Sequence, residues 1–484
     1  RGVAVHINAF NFPIWGMLEK IAVNLMAGMP AVVKPSEYTS YLTEVMVKAI
    51  IDSKILPEGA LQLVSGKGHG IIDHVDFQDV VTFTGSAATG QMLRGLPHLN
   101  QRSVPFNLEA DSLNAAVLGP DVTPEDPEFA LFVREIASEM TVKAGQKCTA
   151  IRRAMVPEHL LPSVQDALIA RLQKTVIGDP QAEGVRMGAL ATHEQIGRVE
   201  AEMNKLMAEQ DLVYNPEVNP VGATAAGAFY TPKLFVNTDP MNKTAVHEVE
   251  PFGPVSTLMP YKTIDEAVEL TAKGRGSLVT SFVSKNTSDI VAFTTEAAAF
   301  NGRIHIVNEK MAKESTGHGS PMPLMKHGGP GRAGGGEEMG GKRGVLHYLH
   351  RTAVQGHPDD ITAITSQYQP GAARPEAEPH VFRQHFEELQ VGATVYTAKH
   401  TVTETDITNF ANVSGDNFYA HMDATSLEGT IFEGRVAHGY FILSKAAGLF
   451  VDAKKGPVLL NYGIDEARFT KPVYPGTTIG VRFT

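Results

Sequence analysis

Short apolar runs alternate with amphipathic stretches through the first hundred residues. Val3-Ala4-Val5-His6-Ile7 and Ala31-Val32-Val33-Lys34 read as strands, and residues 40–53 as a helix stopped by Pro57 and Gly59. Leu61-Gln62-Leu63-Val64 and Val80-Val81-Thr82-Phe83 read as further strands, the second followed by Gly85 and a helix to about Leu96. Strand–helix–strand repeats of this length predict right-handed crossovers and a parallel sheet with helices on both faces. Phe129, Phe132, Val133, Ile136 and Met140 share one helical face, and Thr123-Pro124-Glu125 supplies its start signal.

The pattern changes further on. A glycine-rich run spans 328–341, and Pro370, Pro375 and Pro379 punctuate a stretch without large apolar side chains. That composition predicts a semi-rigid linker over 369–380, between a first domain over 1–368 and a second over 381–484. The second has alternating strand-like runs and one long apolar helix, about Val436 to Val451; Thr403-Glu404-Thr405-Asp406 reads as an N-cap box for a helix over 407–413. The chain opens at Arg1 inside a strand-like run and closes inside another, Ile479 to Thr484, so both domains are expected to be truncated at the chain ends.

Composition narrows the function classes. A length of 484 residues suits about three domains. The net charge of −11 argues against non-specific nucleic-acid binding. No run of apolar residues is long enough for a transmembrane helix, so no membrane partner is expected. A single cysteine excludes a disulfide framework and any Cys-based metal cluster, and implies a reducing, cytoplasmic setting. His318, His327, His347, His350 and His357 lack a tight ligand spacing, so they read as satisfied or solvated histidines and no metal is expected.

Three groups of residues carry candidate chemistry. Cys148, in Gly145-Gln146-Lys147-Cys148-Thr149, is either an inert buried thiol or a nucleophile; the glycine and polar neighbours suit an accessible loop. Gly85-Ser86-Ala87-Ala88-Thr89-Gly90 follows a strand and opens a helix, and Gln91 stands where a Walker lysine would be. Asp416 and His421, five residues apart across a turn, either converge on one water or are unrelated loop residues.

Asn11-Phe12-Pro13-x-Trp15, Lys34-Pro35-Ser36-Glu37, Phe83-Thr84-Gly85-Ser86, Glu109, Gly145-Gln146-x-Cys148 and Glu250-x-Phe252-Gly253-Pro254-Val255 occur in this order. Together they resemble the aldehyde dehydrogenase superfamily over residues 1 to about 350. The resemblance implies a Rossmann-like parallel sheet over about 1–108 for the cofactor and a catalytic α/β part over about 109–325. It further implies Cys148 as nucleophile, Asn11 with the Cys148 backbone N–H as oxyanion hole, and Glu109 as base. Lys34, Ser36 and Glu37 would meet the adenosine ribose, Gly85 and Ser86 the pyrophosphate, and Glu250 and Phe252 the nicotinamide end. NAD and NADP both stay open: Glu37 favours a free 2′-hydroxyl, while bifunctional relatives tend to use NADP. The family's Glu-Leu-Gly-Gly is here Glu109-Ala110-Asp111-Ser112.

Ser414-Gly415-Asp416, His421, Phe432-x-x-Arg435-Val436-Ala437-His438-Gly439 and Arg468-Phe469-x-x-Pro472-Val473-x-Pro475-Gly476 resemble the MaoC-like, R-specific enoyl-CoA hydratase branch of the hot-dog fold. That α+β fold wraps an antiparallel sheet around one long helix, and the resemblance makes Asp416 and His421 a water-activating dyad with a backbone N–H near Gly439 on the thioester carbonyl. Phe418-Tyr419 replace the usual Asn-Pro. The combination is similar to the bifunctional ring-opening enzymes of phenylacetate degradation, oxepin-CoA hydrolase fused to a semialdehyde dehydrogenase. This implies a CoA-thioester substrate, with Lys326, Arg332, Lys342 and Arg343 as candidate CoA contacts, and a homo-oligomer. An ordinary enoyl-CoA hydratase or a non-catalytic acyl-CoA-binding module stays open for the second domain.

Overall fold

A computed structural model describes residues 2–68, 70–223, 226–339, 341–367, 369–372, 380–456 and 460–484. The chain divides into two compact units, Arg1–Arg351 and Thr352–Thr484. The first opens with β1 (Ala4–Ile7), α1 (Trp15–Met26), β2 (Ala31–Lys34), α2 (Ser40–Asp52), β3 (Leu61–Leu63), β4 (Val80–Thr84), α3 (Ala87–Arg94) and β5 (Phe106–Glu109). The strands form a parallel sheet in the order β3-β2-β1-β4-β5. Both faces are covered, which explains the nearly continuous apolar runs of its strands. Met17 and Ile21 of α1 and Val47 of α2 pack on Ala31, Val33 and Leu61. Val5 and Val81 pack against Ile72, Leu99 and Val104 in a separate cluster.

A second sheet follows: β6 (Asn114–Leu118), β7 (Ile151–Pro157), β8 (Asp211–Tyr214), β9 (Lys233–Val236), β10 (Val255–Tyr261), β11 (Ser277–Val283) and β12 (Asn301–Val307). Its order is β12-β11-β6-β7-β10-β9-β8, parallel except where β8 pairs with β9. The expected helical face is buried: Phe132, Ile136 and Met140 of the helix Pro127–Thr141 pack against Leu118, Ile151 and Leu258. Two short strands, β13 (Lys326–His327) and β14 (Glu338–Met339), then pair antiparallel, opposing His327 to Glu338.

In the second unit the helix Glu404–Ser414 begins three residues before the expected start, because Thr403 and Asp406 close a reciprocal capping box at its N-terminus. The long apolar helix runs Gly439–Phe450, starting later than Val436. Val436 and Ala437 instead donate backbone N–H groups to the Ala420 and Val473 carbonyls, which holds them out of the helix. Antiparallel pairing in this unit, among the described residues, joins Val395–Tyr396 to Arg482–Phe483 and His400–Thr401 to Thr478–Ile479. Val402, Ile407, Ala437 and Phe441 form its core. The helix Pro358–Thr365 groups with this unit rather than with a first domain reaching 368; the Gln369 N–H turns back to Thr362 Oγ1 at 2.9 Å. Most of the expected linker, residues 373–379, lies outside the described residues.

Candidate active site

Lys34, Thr84 and Glu109 are the last residues of β2, β4 and β5, so three side chains meet at the carboxyl ends of parallel strands, the usual position of a ligand crevice. A cleft of about 1320 Å³ opens there. Lys34, Ser36, Glu37, Gly85, Ser86, Glu250 and Phe252, all picked out in the sequence, line it together with Asn11, Glu109 and Cys148. A narrower cavity lined by Asn8, Asn11, Phe12, Trp15, Glu109 and His327 reaches the same cysteine.

Cys148 lies in a loop and is half-buried rather than freely accessible. The loop is fastened from below. Asn114 Nδ2 donates to the Cys148 carbonyl at 2.7 Å and to that of Ala150 at 3.1 Å. The Arg152 guanidinium donates to the carbonyls of Gly145 at 2.9 Å and Gly253 at 2.6 Å, and its Nε lies 3.5 Å from Glu250 Oε1. Gly145 is required here: its φ is +67°, and a Cβ would lie 2.3 Å from the Gly253 carbonyl oxygen. Lys147, next to Cys148 in the chain, forms a buried pair with Glu139 through its Nζ at 2.6 Å.

Burial pushes the Cys148 thiol up to about 12, with the Glu109 carboxylate adding to the shift and His327 opposing it. Glu109 is itself buried, which favours its neutral form, yet the His327 ring and Lys20 hold it well below the usual carboxylate range. His327 Nε2 lies 3.4 Å from Glu109 Oε1. A His327 ring nitrogen, Cys148 Sγ and a Glu109 oxygen all lie within 4.8 Å of one another. His327, read as a satisfied or solvated histidine, is of the satisfied kind: it is buried and engaged with Glu109 in the reactive cluster. Behind Glu109, Lys20 Nζ contacts Glu338 Oε1 at 3.4 Å and donates to Asn8 Oδ1 at 2.9 Å.

Asp111, one of the departures from the family pattern, accepts the Ala87 N–H at the start of α3 and lies 3.6 Å from Arg332 Nη2. Arg332 enters the cleft, Lys326 is half-buried in β13, and Arg343 Nε lies 3.7 Å from Glu337. Burial raises Glu250 to about 7 against the pull of Arg152, with Asp111 adding to the rise.

The second unit has its own cluster. His421 Nε2 is 3.9 Å from Asp416 Oδ2, and His421 Nδ1 donates to the Val436 carbonyl at 2.6 Å. That bond places the ring proton on Nδ1 and leaves Nε2 as the acceptor facing the carboxylate. His438, which the sequence reading left without a role, stacks on His421 with centroids 3.8 Å apart and donates to the Asp416 carbonyl at 2.9 Å.

Residues 1–354 match the aldehyde dehydrogenase family, and residues 387–484 match the MaoC like domain. The chain belongs to the aldehyde dehydrogenase family, whose members depend on NAD or NADP, and it carries a MaoC-like hot-dog domain after it. It is 49% identical over 299 residues to Protein MaoC of Klebsiella aerogenes, covering 62% of this chain and 88% of that protein. It is 43% identical over 332 residues to a 3,4-dehydroadipyl-CoA semialdehyde dehydrogenase of Aromatoleum evansii, covering 68% of this chain and 64% of that enzyme. Among solved structures it resembles betaine aldehyde dehydrogenase of Staphylococcus aureus in complex with NAD+, with 26% identity, a TM-score of 0.62 and coverage of 72% of this chain and 66% of that one. It likewise resembles an aldehyde dehydrogenase C variant of Pseudomonas syringae complexed with NAD+ and octanal, with 25% identity, a TM-score of 0.63 and coverage of 72% and 68%. Among the described residues, no helix is long and apolar enough to cross a membrane.

The cleft residues fit a nicotinamide dinucleotide. Lys34, Ser36 and Glu37 supply a cation, a hydroxyl and a carboxylate to its lining, and Glu250 with Phe252 a further carboxylate and a ring. Asn8 Nδ2, in the cleft wall, is buried without a hydrogen-bond partner.

Proposed function

We propose that the chain is a bifunctional enzyme of aerobic phenylacetate catabolism. Its MaoC-like domain opens oxepin-CoA by hydrolysis, and its dehydrogenase domain oxidises the resulting CoA-linked semialdehyde to 3-oxo-5,6-dehydrosuberyl-CoA. The observation that carries the reading is the presence of two separate reactive clusters in one chain, Cys148–Glu109–Asn11 and Asp416–His421.

In the dehydrogenase cleft, Cys148 attacks the aldehyde carbon. The Asn11 side-chain amide and the Cys148 backbone N–H hold the oxyanion, whose stabilisation by fixed donors is worth about 3–4 kcal/mol. NAD or NADP, when bound, accepts a hydride. Glu109 activates the water that hydrolyses the Cys148 thioester. Asn114 and Arg152 keep the nucleophile loop in register while this happens. Glu37 favours a free ribose hydroxyl and supports NAD, while Lys34 can pair with a 2′-phosphate and leaves NADP open.

In the second unit, His421 Nε2 and Asp416 share the proton of the attacking water, and a backbone N–H near Gly439 polarises the thioester carbonyl. Covalent linkage of the two domains raises the effective concentration of a reactive aldehyde at the site that consumes it. We place the enzyme in the cytoplasm as a homo-oligomer, the assembly that resemblance to both families implies. The test is the full chain with CoA-linked oxepin and NAD(P)+, followed by mass spectrometry. Cys148→Ala accumulates the open-chain aldehyde or its cyclised by-product, and Asp416→Ala leaves the ring closed. Ring opening that persists in Asp416→Ala would make the second domain a binding module. Hydration of crotonyl-CoA in preference to the oxepin would make it an ordinary enoyl-CoA hydratase.

A further inference from the structure

Cys148 and Glu109 do not face each other alone. β13 carries a buried imidazole beside them, and the pairing of His327 with Glu338 across β13 and β14 fixes its backbone. His327 Nε2 is 3.4 Å from Glu109 Oε1, an oxygen that is buried and closes no hydrogen bond of ordinary geometry. Cys148 Sγ completes a group of three reactive atoms within 4.8 Å.

We propose that His327 is a catalytic residue of the dehydrogenase site, an imidazolium held by Glu109 against the Cys148 sulfur that favours the thiolate. The inference rests on the dehydrogenase reading of this cleft. The Sγ–H bond breaks, its proton passes to solvent water, and its electron pair stays on sulfur facing the charged ring. The sulfur then bonds to the aldehyde carbon as the carbonyl π pair moves onto oxygen. Hydrolysis later breaks the C–S bond and returns the electron pair to the sulfur beside the ring.

The surrounding charges support this role. A thiol raised to about 12 by burial is poorly matched to a carboxyl held low by its neighbours. Burial works against a charged His327, but the adjacent carboxylate outweighs it and lifts the imidazole well above its ordinary range. The charged ring therefore offsets part of what burial and Glu109 impose on the thiol. Cysteine–imidazole pairing of this kind is a general way to obtain a thiolate at neutral pH.

The test exploits the single cysteine of the chain, because any alkylation by iodoacetamide reports on Cys148. It needs neither aldehyde nor cofactor, so it is independent of whether wild type reduces NAD(P)+ with any aldehyde, which tests the dehydrogenase reading. At pH 7, His327→Gln slows alkylation tenfold or more, and Glu109→Gln slows it less than His327→Gln does. A smaller effect of His327→Gln, or a larger effect of Glu109→Gln, overturns the proposal. The pH profile gives a second reading. The climb of the alkylation rate with pH is expected to begin at lower pH in wild type than in His327→Gln, because His327 opposes the rise of the thiol; coincident profiles overturn it.

Discussion

Asp111 Oδ2 lies 3.6 Å from Arg332 Nη2, and the same carboxylate accepts the first N–H of α3, at Ala87. A carboxylate therefore sits at the helix N-terminus that the family resemblance assigns to the cofactor pyrophosphate. Fixed negative charge there opposes a second anion. Asp111→Gly is expected to tighten NAD(P)H binding about threefold to tenfold, corresponding to ~1 kcal/mol of relieved charge repulsion. Fluorescence titration of the cofactor checks this, and weaker binding by the variant would contradict it.

Glu250 lines the cleft, and cofactor affinity is expected to depend on pH through it. Burial raises its carboxyl to about 7, so it is charged above that pH and neutral below it. Only the charged form accepts two hydroxyl hydrogen bonds at full strength. NAD(P)H affinity should fall severalfold as the pH drops through about 7, and the dependence should disappear in Glu250→Gln. Titrations at pH 6 and 8 on both proteins read the outcome.

The Lys147–Glu139 pair is buried beside the nucleophile, and Glu139 Oε2 has no hydrogen-bond partner. Removing one partner strands a charge in the interior. Lys147→Met should cost about 3–5 kcal/mol, and the double variant Lys147→Met, Glu139→Leu should recover much of that loss. Chemical denaturation followed by circular dichroism measures both. A single variant as stable as wild type would show that the pair contributes nothing.

Gly145 ties the nucleophile loop to the Phe252–Gly253 segment through backbone proximity. An alanine there meets the Gly253 carbonyl oxygen at 2.3 Å and carries a left-handed conformation costing about 1–2 kcal/mol. Gly145→Ala should lower the melting temperature and cut dehydrogenase kcat by tenfold or more, since the Cys148 loop shifts. Unchanged kcat would mean that the loop tolerates displacement.

The sequence disclosed what depends on local pattern. The strands ending at Lys34 and Thr84 carry dense apolar runs, and Cys148, Glu109 and Asn11 sit in motifs whose order along the chain mirrors their convergence in one cleft. His327 was not legible. A two-residue strand has no period, and the residue gains its meaning only by pairing with Glu338 and packing against a distant carboxylate. Arg152 and Asn114 were hidden for the same reason: each bonds to backbone carbonyls far along the chain, which no side-chain pattern announces. In the second unit, Asp416 and His421 were visible through spacing, whereas the stacking of His438 on His421 arises from a turn between separate segments.

In the proposed dehydrogenase reaction Cys148 carries the substrate as a thioester, which water activated by Glu109 then hydrolyses. The decisive experiment is to incubate Glu109→Gln with the CoA-linked semialdehyde and NAD(P)+ and analyse the peptides by mass spectrometry. An acyl adduct is expected on the peptide containing Cys148, accumulating while product release stalls. An unmodified Cys148 peptide, or product formed at the wild-type rate, rules the thioester route out.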